Sequence, residues 1–428
     1  MSFFSNGFKS TLSNKILVKM NIIISHISTS SVDGGSAVSA ARIHENLLSR
    51  GFSSNLYVGD KENRKRRIKF LTNFPMIRKI DKLTNILFDK MGLQYSLVPS
   101  NFFLNKLIFK STIIQLYNIH GGFFQFSHLK RLSTFSRIVW RLSDYWSMTG
   151  HCAYPGKCEK WKQICSNCPD LKTYPSIGLD NTKKLWEEKK RIIKKIDLQI
   201  VVPTKKLLNE VKQSPILGDK EIYLIPNGVD TLFFKPKSKI KSRLDLKIPN
   251  KFTVLFISHV AYDNYRKGTH IFRDILNKFK NHKQIQFLVA GINSYKWKKF
   301  NLKNLVTFDY NTNLEFKRSL YNSSNVILIP SINENLPNVL LEAMSCGIPS
   351  ISNDSGGINE CVNESNGILV KKLNVNDFVE GISTIFKDKN NNNRLKNNCR
   401  KTILEKFSVE KEIDSYLKIY EGIKVNQI

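Results

Sequence analysis

Residues 325–362 read NVILIPSINENLPNVLLEAMSCGIPSISNDSGGINECV and decide how the second half of the chain folds. The opening NVILIP is an apolar run typical of a buried strand. After a polar loop, Pro337 suits the first turn of a helix that we expect to end near Ser345, and Gly347 suits the position past that end. A strand, a loop and a short helix in this order predict one repeat of an open α/β sheet.

The same alternation of strand-like and helical runs extends over the whole chain. In the first half the expected strands are NIIISHI, SSNLYV, IIQLYNI, RIVWRL and LQIVV, with a helix between Ser36 and Arg50. The second half starts again with TVLFIS, IQFLVAG and VTF, after a Pro-Asn-Gly turn that marks a border. We predict two doubly wound, Rossmann-like α/β domains, residues 20–225 and 226–410, and a C-terminal helix within residues 411–428 that packs back on the first domain.

Composition limits the class of protein. With 428 residues, of which 41% are hydrophobic and 24% charged, a globular protein of two domains is expected. No apolar run approaches the ~20 residues needed to cross a bilayer. The stretch before Met20 has no continuous apolar core of a signal peptide, so a cytoplasmic location is expected.

The net charge is unusual, because 67 Lys and Arg residues against 35 Asp and Glu give +32. The bases are spread along the chain and match no zinc-finger, homeodomain or RNP pattern, which argues against nucleic acid. An AT-rich genome is one explanation, and attraction to anionic membranes or phosphate-bearing substrates is another. The basic segment from Lys61 to Lys82, interleaved with Phe70, Phe74 and Ile77, is either a solvated face or a surface for anionic headgroups.

Two glutamates frame the loop and helix of the quoted segment. On the loop, Glu334 is placed to accept hydrogen bonds from sugar hydroxyls or to face positive charge developing at an anomeric carbon. Inside the helix, Glu342 is placed to accept both hydroxyls of a ribose. Amides at the helix start can receive a diphosphate. That start comprises Asn335, Leu336, Pro337, Asn338 and Val339, and a tight turn follows at Ser355, Gly356 and Gly357. The alternative is that Glu334 and Glu342 are ordinary exposed charges without a role in binding.

At this point PSINENLPNVLLEAMSCGIP resembles the hallmark of the retaining family 4 glycosyltransferases of the GT-B fold, a Glu, seven residues and a second Glu within P-S-x-x-E…N-V-x-L-E-A-M-x-C-G-x-P. IPNGVD at the border and an RKG triplet extend the resemblance over most of the second domain. It implies a nucleotide-sugar donor, bound without a catalytic metal in a cleft between two domains. Glu334 would then orient the sugar and Glu342 the ribose, and the diphosphate would be neutralised by Lys267, with Arg266 as the next candidate.

On the first domain, VDGGSAVSA resembles the glycine loop of the same family, where Gly34 and Gly35 would admit donor or acceptor close to the backbone. A plain turn is the alternative.

The stretch DYWSMTGHC resembles a subgroup that builds bacterial surface polysaccharides, the colanic-acid-type transferases. Many members carry His-Asp where this chain has Ser143 and Asp144. Either Ser143 serves in place of that histidine, or His120 or His151 supplies the imidazole.

Four cysteines cluster in the same loop with the spacing C-x5-C-x6-C-x2-C, namely Cys152, Cys158, Cys165 and Cys168. They are either ligands of a structural zinc ion, with His151 able to replace one of them, or free or partly paired thiols. Four protein ligands would close the coordination shell of the zinc, so such a site would hold the loop without taking part in catalysis.

These features predict a glycosyltransferase that moves a sugar from a UDP- or GDP-linked donor to a glycan or lipid-linked glycan acceptor, with retention, in bacterial surface polysaccharide synthesis. No cofactor is required for catalysis, and an anionic membrane surface is a possible partner of the chain. The alternatives are a nucleotide-sugar epimerase of the same fold, a basic nucleic-acid-binding protein and a degenerate transferase that only binds sugar.

Overall fold

The computed structural model of the chain describes residues 22–59, 67–72, 74–96 and 106–422. Met20 and the bases from Lys61 to Arg66 lie outside the described residues. The chain divides into two compact units: unit 1 holds the described residues up to Val202 together with 208–224 and those from Tyr416, and unit 2 holds residues 203–207 and 225–415. No helix in the described ranges is both long and apolar enough to cross a membrane.

Unit 1 is built on a parallel sheet. Its strands are β1 (Ile23–Ser28), β2 (Ser53–Val58), β3 (Ile68–Phe70), β4 (Ile113–Leu116), β5 (Arg137–Arg141), β6 (Leu198–Val202) and β7 (Glu221–Leu224). In the part of the chain that the structure describes, the order is β3-β2-β1-β4-β5-β6-β7, and all neighbours are parallel. Every residue of β4 is buried, as expected for a central strand of a parallel sheet covered on both faces.

Helices and single turns connect these strands. They are α1 (Gly35–Ser49), α2 (Pro75–Lys90), α3 (His128–Leu132), α4 (Thr182–Ile193) and α5 (Lys205–Lys212), with 3-10 turns at Lys106–Lys110 and Lys160–Lys162. Helix α4 buries Leu185, Trp186 and Ile192. Their spacing gives one apolar stripe, which is why this helix packs on the sheet.

Unit 2 contains a second parallel sheet. Its strands are β8 (Phe252–Val260), β9 (Ile285–Ile292), β10 (Leu305–Phe308), β11 (Val326–Ile329), β12 (Ser350–Asn353) and β13 (Gly367–Val370). Over the described residues the order is β10-β9-β8-β11-β12-β13, again with parallel neighbours. Leu255 belongs to the core on one face of this sheet, and Val254 and Phe256 belong to the core on the other face.

Seven helices complete the described part of unit 2 and the C-terminus. They are α6 (Lys239–Asp245), α7 (Thr269–Lys278), α8 (Leu314–Ser323), α9 (Asn338–Ser345), α10 (Val375–Lys387), α11 (Lys389–Lys406) and α12 (Val409–Tyr420), with 3-10 turns at Tyr265–Lys267, Ser294–Phe300 and Ile358–Glu360. The prediction of two doubly wound α/β domains is confirmed.

The end of α12 is held by unit 1. Arg137 donates from its guanidinium to the carbonyls of Tyr420 at 3.1 Å and Ile419 at 3.0 Å. The hydroxyl of Tyr420 donates to Oε1 of the buried Gln115. An arginine at the last carbonyls of a helix satisfies groups that have no intrahelical partner.

Both sheets reverse their strand order at one place, between β1 and β4 in unit 1 and between β8 and β11 in unit 2. Loops that leave the carboxyl ends of such strands diverge to opposite faces and open a crevice, where α/β proteins bind ligands. The predicted site residues lie at these two switch points or on the strand beside them.

Candidate functional site

Three loops meet at the switch point of unit 2, because β8, β11 and β12 are neighbours. The N–H of Ile332 donates to the carbonyl of Arg266 at 2.9 Å and joins the loop after β11 to the loop after β8. The hydroxyl of Ser355, after β12, donates to the carbonyl of Ile332 at 2.9 Å and accepts from the N–H of Glu334 at 3.1 Å. The structure thus brings the predicted residues of three separate loops together.

Two glycines allow this close approach. Gly268 has φ +71°, and a Cβ there would lie 1.9 Å from the carbonyl oxygen of Pro330. Gly356 has φ +66°, and its Cβ would lie 2.0 Å from the carbonyl oxygen of Glu334. Only glycine adopts the left-handed conformation without strain and leaves that space open. The tight turn predicted at residues 355–357 therefore supports the Glu334 loop.

Lys267, Arg266 and Glu334 form one charged cluster. The ammonium of Lys267 donates to Oε1 of Glu334, whose side chain is only 8% exposed, and Nη1 of Arg266 lies 3.9 Å from Oε2. Burial raises the pKa of Glu334, but the two cations outweigh burial and hold this pKa below its ordinary value. Burial also lowers the pKa of Lys267, and Glu334 opposes that effect. Two cations against one carboxylate leave net positive charge at the switch point, which suits a diphosphate.

Helix α9 begins next to this cluster. Pro337 has an extended conformation, with φ −74° and ψ 124°, and its carbonyl accepts from the N–H of Leu340 at 3.1 Å. The helix therefore starts at Asn338, one residue later than predicted. The amides of Asn338 and Val339 precede the first intrahelical bond, so they are directed out of the helix end. Such amides bind anions.

Two side chains fix the chain where it enters α9. Nδ2 of Asn227 donates to the carbonyl of Leu336 at 2.8 Å and to Oδ1 of Asn338 at 3.2 Å. The hydroxyl of Thr204 donates to Oδ1 of Asn335 at 2.9 Å. Asn227 belongs to the Pro-Asn-Gly turn, so this turn holds the start of α9 in place. From the sequence, the turn was interpreted only as a domain border.

Glu342 is buried within unit 2, with 6% of its side chain exposed. The ammonium of Lys317 lies 2.6 Å from Oε2, and the hydroxyl of Tyr321 donates to the same oxygen at 2.6 Å. Both partners stand one turn apart on α8. Oε1 has no hydrogen-bond partner among the residues described. The carboxylate thus has one oxygen fixed by the protein and one left to accept from a ligand hydroxyl.

The glycine loop of unit 1 lies at the start of α1. Gly34 caps the helix with φ +89°, and Gly35 is the first helical residue. The hydroxyl of Ser36 accepts from the N–H of Asn118 at 3.4 Å and from the hydroxyl of Ser143 at 3.3 Å. Ser143 therefore contacts the helix start at the switch point between β1 and β4.

Asp144 organises the loops after β4 and β5. Nε2 of His120 lies 3.0 Å from Oδ2 of Asp144, and Nδ2 of Asn118 donates to the same oxygen at 2.8 Å. The N–H of Trp146 donates to Oδ1 at 3.0 Å. Nε2 of His120 donates to Asp144, and its Nδ1 faces the Tyr174 hydroxyl at 3.5 Å. Of the three groups considered for the missing imidazole, His120 is the one that the structure pairs with Asp144.

His151 lies elsewhere. Its Nδ1 donates to the carbonyl of Pro175 at 2.9 Å, and its Nε2 lies 3.4 Å from Sγ of Cys168. A pocket that opens to solvent adjoins this ring. All four clustered cysteines line the pocket, namely Cys152, Cys158, Cys165 and Cys168.

These cysteines are free thiols. Burial raises the pKa of Cys152 to about 12 and that of Cys165 to about 11. Throughout the described ranges, no three His, Cys, Asp or Glu side chains form a group that could hold a metal ion. The thiols are arranged around a pocket, and the structural zinc site stays a prediction.

Lys189 is a buried cation that sequence reasoning missed. Its ammonium donates to the carbonyls of Trp146 at 2.7 Å, Thr149 at 3.1 Å and Gly150 at 3.4 Å, and it lies 3.8 Å from the centre of the Trp146 ring. Burial lowers its pKa to about 7. In the sequence, Lys189 falls on the apolar stripe of α4, and this position could have identified it as a buried lysine. Lys189 fixes the loop that follows Asp144.

The chain is similar to known glycosyltransferases, in a family match to its second half and in a relative that covers most of its length. Residues 238–402 match the family described as Glycosyl transferases group 1, a range that includes Arg266, Lys267, Glu334 and Glu342 and none of the candidate residues of unit 1. WcaC of Escherichia coli strain K12, a protein named for glycosyl transfer in colanic acid biosynthesis, is 23% identical over 366 residues, which are 81% of this chain and 87% of WcaC.

A further Escherichia coli relative is named UDP-Gal:alpha-D-GlcNAc-diphosphoundecaprenol alpha-1,3-galactosyltransferase. It is 26% identical over 227 residues, which are 48% of this chain and 56% of the relative. Among solved structures, sucrose-phosphate synthase from Thermosynechococcus elongatus superposes with a TM-score of 0.66 at 17% identity, over 94% of this chain and 98% of the synthase. The predicted GT-B fold is confirmed.

Proposed function

The chain is a glycosyltransferase with a group 1 domain over residues 238–402, and we propose that it transfers a sugar from a UDP- or GDP-linked donor to an acceptor of bacterial surface polysaccharide synthesis. The observation that carries this proposal is the cluster of Lys267, Arg266 and Glu334 beside the amides of α9. The relative named for colanic acid biosynthesis supports the polysaccharide, and the relative named for a UDP-linked sugar supports the donor.

The cluster binds and stabilises the diphosphate. As the bond between the sugar C1 and the phosphate oxygen breaks, negative charge grows on the leaving nucleoside diphosphate. Lys267 and Arg266 neutralise that charge, and the amides of Asn338 and Val339 donate to a second phosphate oxygen. When Lys267 turns to the phosphate, Glu334 is released from its ion pair and accepts hydrogen bonds from the sugar hydroxyls.

Glu342 binds the ribose. Its Oε2 is held by Lys317 and Tyr321, which fixes the orientation of the carboxylate inside unit 2. Its Oε1 accepts from a ribose hydroxyl. Holding one oxygen in advance lowers the entropy lost when the nucleotide binds.

We assign retention of the anomeric configuration, as in family 4. The acceptor oxygen bonds to C1 on the face from which the diphosphate departs, and the acceptor proton passes to the departing phosphate oxygen. Such a route needs no separate general base. On unit 1, His120 is held by Asp144 and contacts the sugar, while Gly34 and Gly35 let a substrate approach the start of α1.

The acceptor is a glycan, and we propose that it is carried on a lipid at an anionic membrane surface. The relative named for a diphosphoundecaprenol-linked sugar supports this class. The formal net charge of +32 supports attraction to anionic lipid.

A panel of nucleotide sugars tests the proposal. Melting temperatures are measured with UDP-, GDP- and CMP-sugars, because a ligand at ~100 times its dissociation constant stabilises a protein by ~2.7 kcal/mol. Stabilisation by a UDP- or GDP-sugar, lost in Glu342→Ala, is expected. A protein stabilised by none of them, or one that retains RNA with a steep salt dependence, contradicts the proposal. Rapid isomerisation of the donor without acceptor would identify an epimerase.

A further inference from the structure

Helix α2 turns its polar side chains inward. Asp81 is only 7% exposed, and its Oδ1 accepts from the hydroxyl of Ser96 at 3.1 Å. Nδ2 of Asn85 donates to the carbonyl of Gly122 at 2.5 Å. A helix packed on a domain usually turns its apolar stripe inward. In α2 the buried Asp81 and the half-buried Asn85 share this inner side with the half-buried Phe88, whose ring packs edge-on against Tyr95.

The opposite side of α2 is an apolar ridge. Met76 is 74% exposed, Ile80 48%, Leu83 70% and Leu87 58%. These four residues stand at i, i+4, i+7 and i+11, so they form one stripe along the helix. We call them the outer ridge of α2. A contiguous exposed patch of large aliphatic side chains marks a binding surface.

The charge beside the ridge has one sign. Lys79, Lys82 and Lys90 are exposed. Lys79 and Lys90 stand at i+3 from Met76 and Leu87 and therefore border the ridge, and Lys82 lies further round the helix. Of the two acidic residues of α2, Asp81 is buried and Asp89 is half-buried. A ridge of aliphatic side chains bordered by ammonium groups is complementary to a surface that has an apolar interior and phosphate headgroups.

The ridge lies close to the acceptor-side residues of unit 1. Asn85, on the inner side of α2, bonds to Gly122, which is in the loop that carries His120. A surface that binds the ridge is therefore held next to the loops proposed to contact the sugar and its acceptor.

We propose that the outer ridge of α2 docks on an anionic phospholipid bilayer, with its four aliphatic side chains in the boundary between headgroups and acyl chains and its lysines on lipid phosphates. This inference rests on the proposed function, since it supplies the surface from which a lipid-linked glycan reaches unit 1.

Vesicle flotation tests the docking. The probes are vesicles of phosphatidylcholine alone and vesicles in which about one third is phosphatidylglycerol. The wild-type protein should float with the anionic vesicles and much less with the neutral ones. Leu83→Asp/Leu87→Asp should weaken binding at least about ten-fold, because two leucines no longer leave water. The matched control is Leu232→Asp/Leu244→Asp on unit 2, whose leucines are 76% and 71% exposed, and it should bind as the wild type does.

The lysines supply a second measurement. Each charge near an anionic surface is worth about 1 kcal/mol, which is about five-fold in affinity, so Lys79→Gln and Lys90→Gln should each weaken binding by about that factor. The proposal is overturned if the wild type binds neutral and anionic vesicles equally, or if it binds neither. It is also overturned if Leu232→Asp/Leu244→Asp weakens vesicle binding as much as the ridge variant does. A ridge variant that changes the molecular mass in solution and leaves vesicle binding intact would show a contact between copies of the chain, which also overturns it.

Donor binding separates the two proposals. Melting temperatures with and without the stabilising nucleotide sugar are measured on the same samples, and the ridge variants should keep the full shift. If the shift persists and vesicle binding is absent in the wild type, the docking inference fails alone. If no nucleotide sugar binds and vesicle binding follows the ridge, the proposed function fails and the docking surface stands. If Leu83→Asp/Leu87→Asp does not fold, Leu83→Gln/Leu87→Gln replaces it, and we expect a smaller loss of binding to the anionic vesicles.

Discussion

The ammonium nitrogen of Lys317 lies 2.6 Å from Oε2 of Glu342 inside unit 2. Removing one partner of a buried pair leaves an uncompensated charge, which costs more than the pair contributes. The pair therefore fixes Oε2 of Glu342 before any nucleotide arrives, so that stability depends on Oε2 and ligand binding on Oε1 of the same carboxylate.

Glu342→Gln tests the ribose contact. The amide keeps the shape of the side chain and an acceptor for Tyr321, but it loses the charge that pairs with Lys317 and that a ribose hydroxyl meets, so a loss of stability is expected as well. We expect UDP affinity, measured by calorimetry, to fall at least about ten-fold, since a charged hydrogen bond contributes about 2 kcal/mol. Glu342→Ala should abolish turnover with the fold intact. Glu380→Gln, on the exposed side of α10, is the control and should bind UDP normally. Full activity in Glu342→Ala would refute the assignment.

Lys267→Met should reduce both stability and turnover. Glu334 is 8% exposed and would be left with Arg266 at 3.9 Å, so we expect a loss of about 3 kcal/mol in the free energy of unfolding. Turnover should fall by about 100-fold or more, because charge on the departing diphosphate is no longer neutralised. Urea unfolding and initial rates measure the two effects.

The double variant Lys267→Met/Glu334→Gln distinguishes these effects. It removes the stranded carboxylate, so stability should recover while turnover stays low. Arg273→Met, at a guanidinium that is 51% exposed on α7, should change neither quantity. Recovery of turnover in the double variant would show that Lys267 serves the fold alone.

Gly268→Ala should destabilise unit 2 strongly. The added methyl would lie 1.9 Å from the backbone oxygen of Pro330, and φ at this position is +71°. We expect a loss of about 3 kcal/mol or more, because the loops after β8 and β11 must separate. Gly51→Ala is the comparison, since its φ is +83° and no atom lies within 4 Å of the added carbon. It should cost only about 1 kcal/mol, the price of the backbone conformation. Equal losses in the two variants would contradict the steric account.

The sequence predicted those features whose cause is local. SSNLYV coincides with β2 (Ser53–Val58), and the α9 helix starts within one residue of its predicted position, because a buried strand and a proline leave clear patterns. Strand β13 (Gly367–Val370) was not predicted, although β10, which is equally short, was, because runs of four residues show no period that separates a strand from a turn. Helix α2 was also not predicted. Its periodicity alone would predict that the apolar stripe faces the core, whereas in the structure that stripe is exposed and Asp81 and Asn85 make hydrogen bonds on the inner side.

Site residues divide in the same way. Glu334, Lys267 and His120 were named as candidates because each follows a strand or belongs to a motif, and their roles stay predictions. Lys317 and Lys189 were not found, because their partners are a carboxylate on another helix and a set of backbone carbonyls. Such partners are set by tertiary packing and leave little trace in one sequence.

His128 makes unit 1 sensitive to acid. The ring is 3% exposed, packs edge-on against Phe124 with 5.2 Å between ring centroids, and neither of its nitrogens has a hydrogen-bond partner among the described residues. Burial, with a smaller contribution from Arg131, lowers its pKa to about 4. An unfolded histidine has a pKa near 6.5, so below that pH the unfolded chain takes up a proton that the native ring refuses. Stability is therefore lost as pH falls from about 6.5 to about 4, by roughly 3 kcal/mol in all.

His128→Phe should remove this loss. A phenyl ring keeps the packing with Phe124 and buries no unsatisfied nitrogen, so the variant should be more stable than the wild type at pH 7. Its advantage should grow by roughly 2 kcal/mol at pH 5, because about 1.5 pH units below the unfolded pKa correspond to that free energy. Urea unfolding of both proteins at the two pH values measures the difference, and any other histidine of unit 1 affects both equally. His259→Gln, at an exposed ring, should follow the wild type. A constant difference between His128→Phe and the wild type at the two pH values would show that the native ring is protonated as readily as the unfolded one.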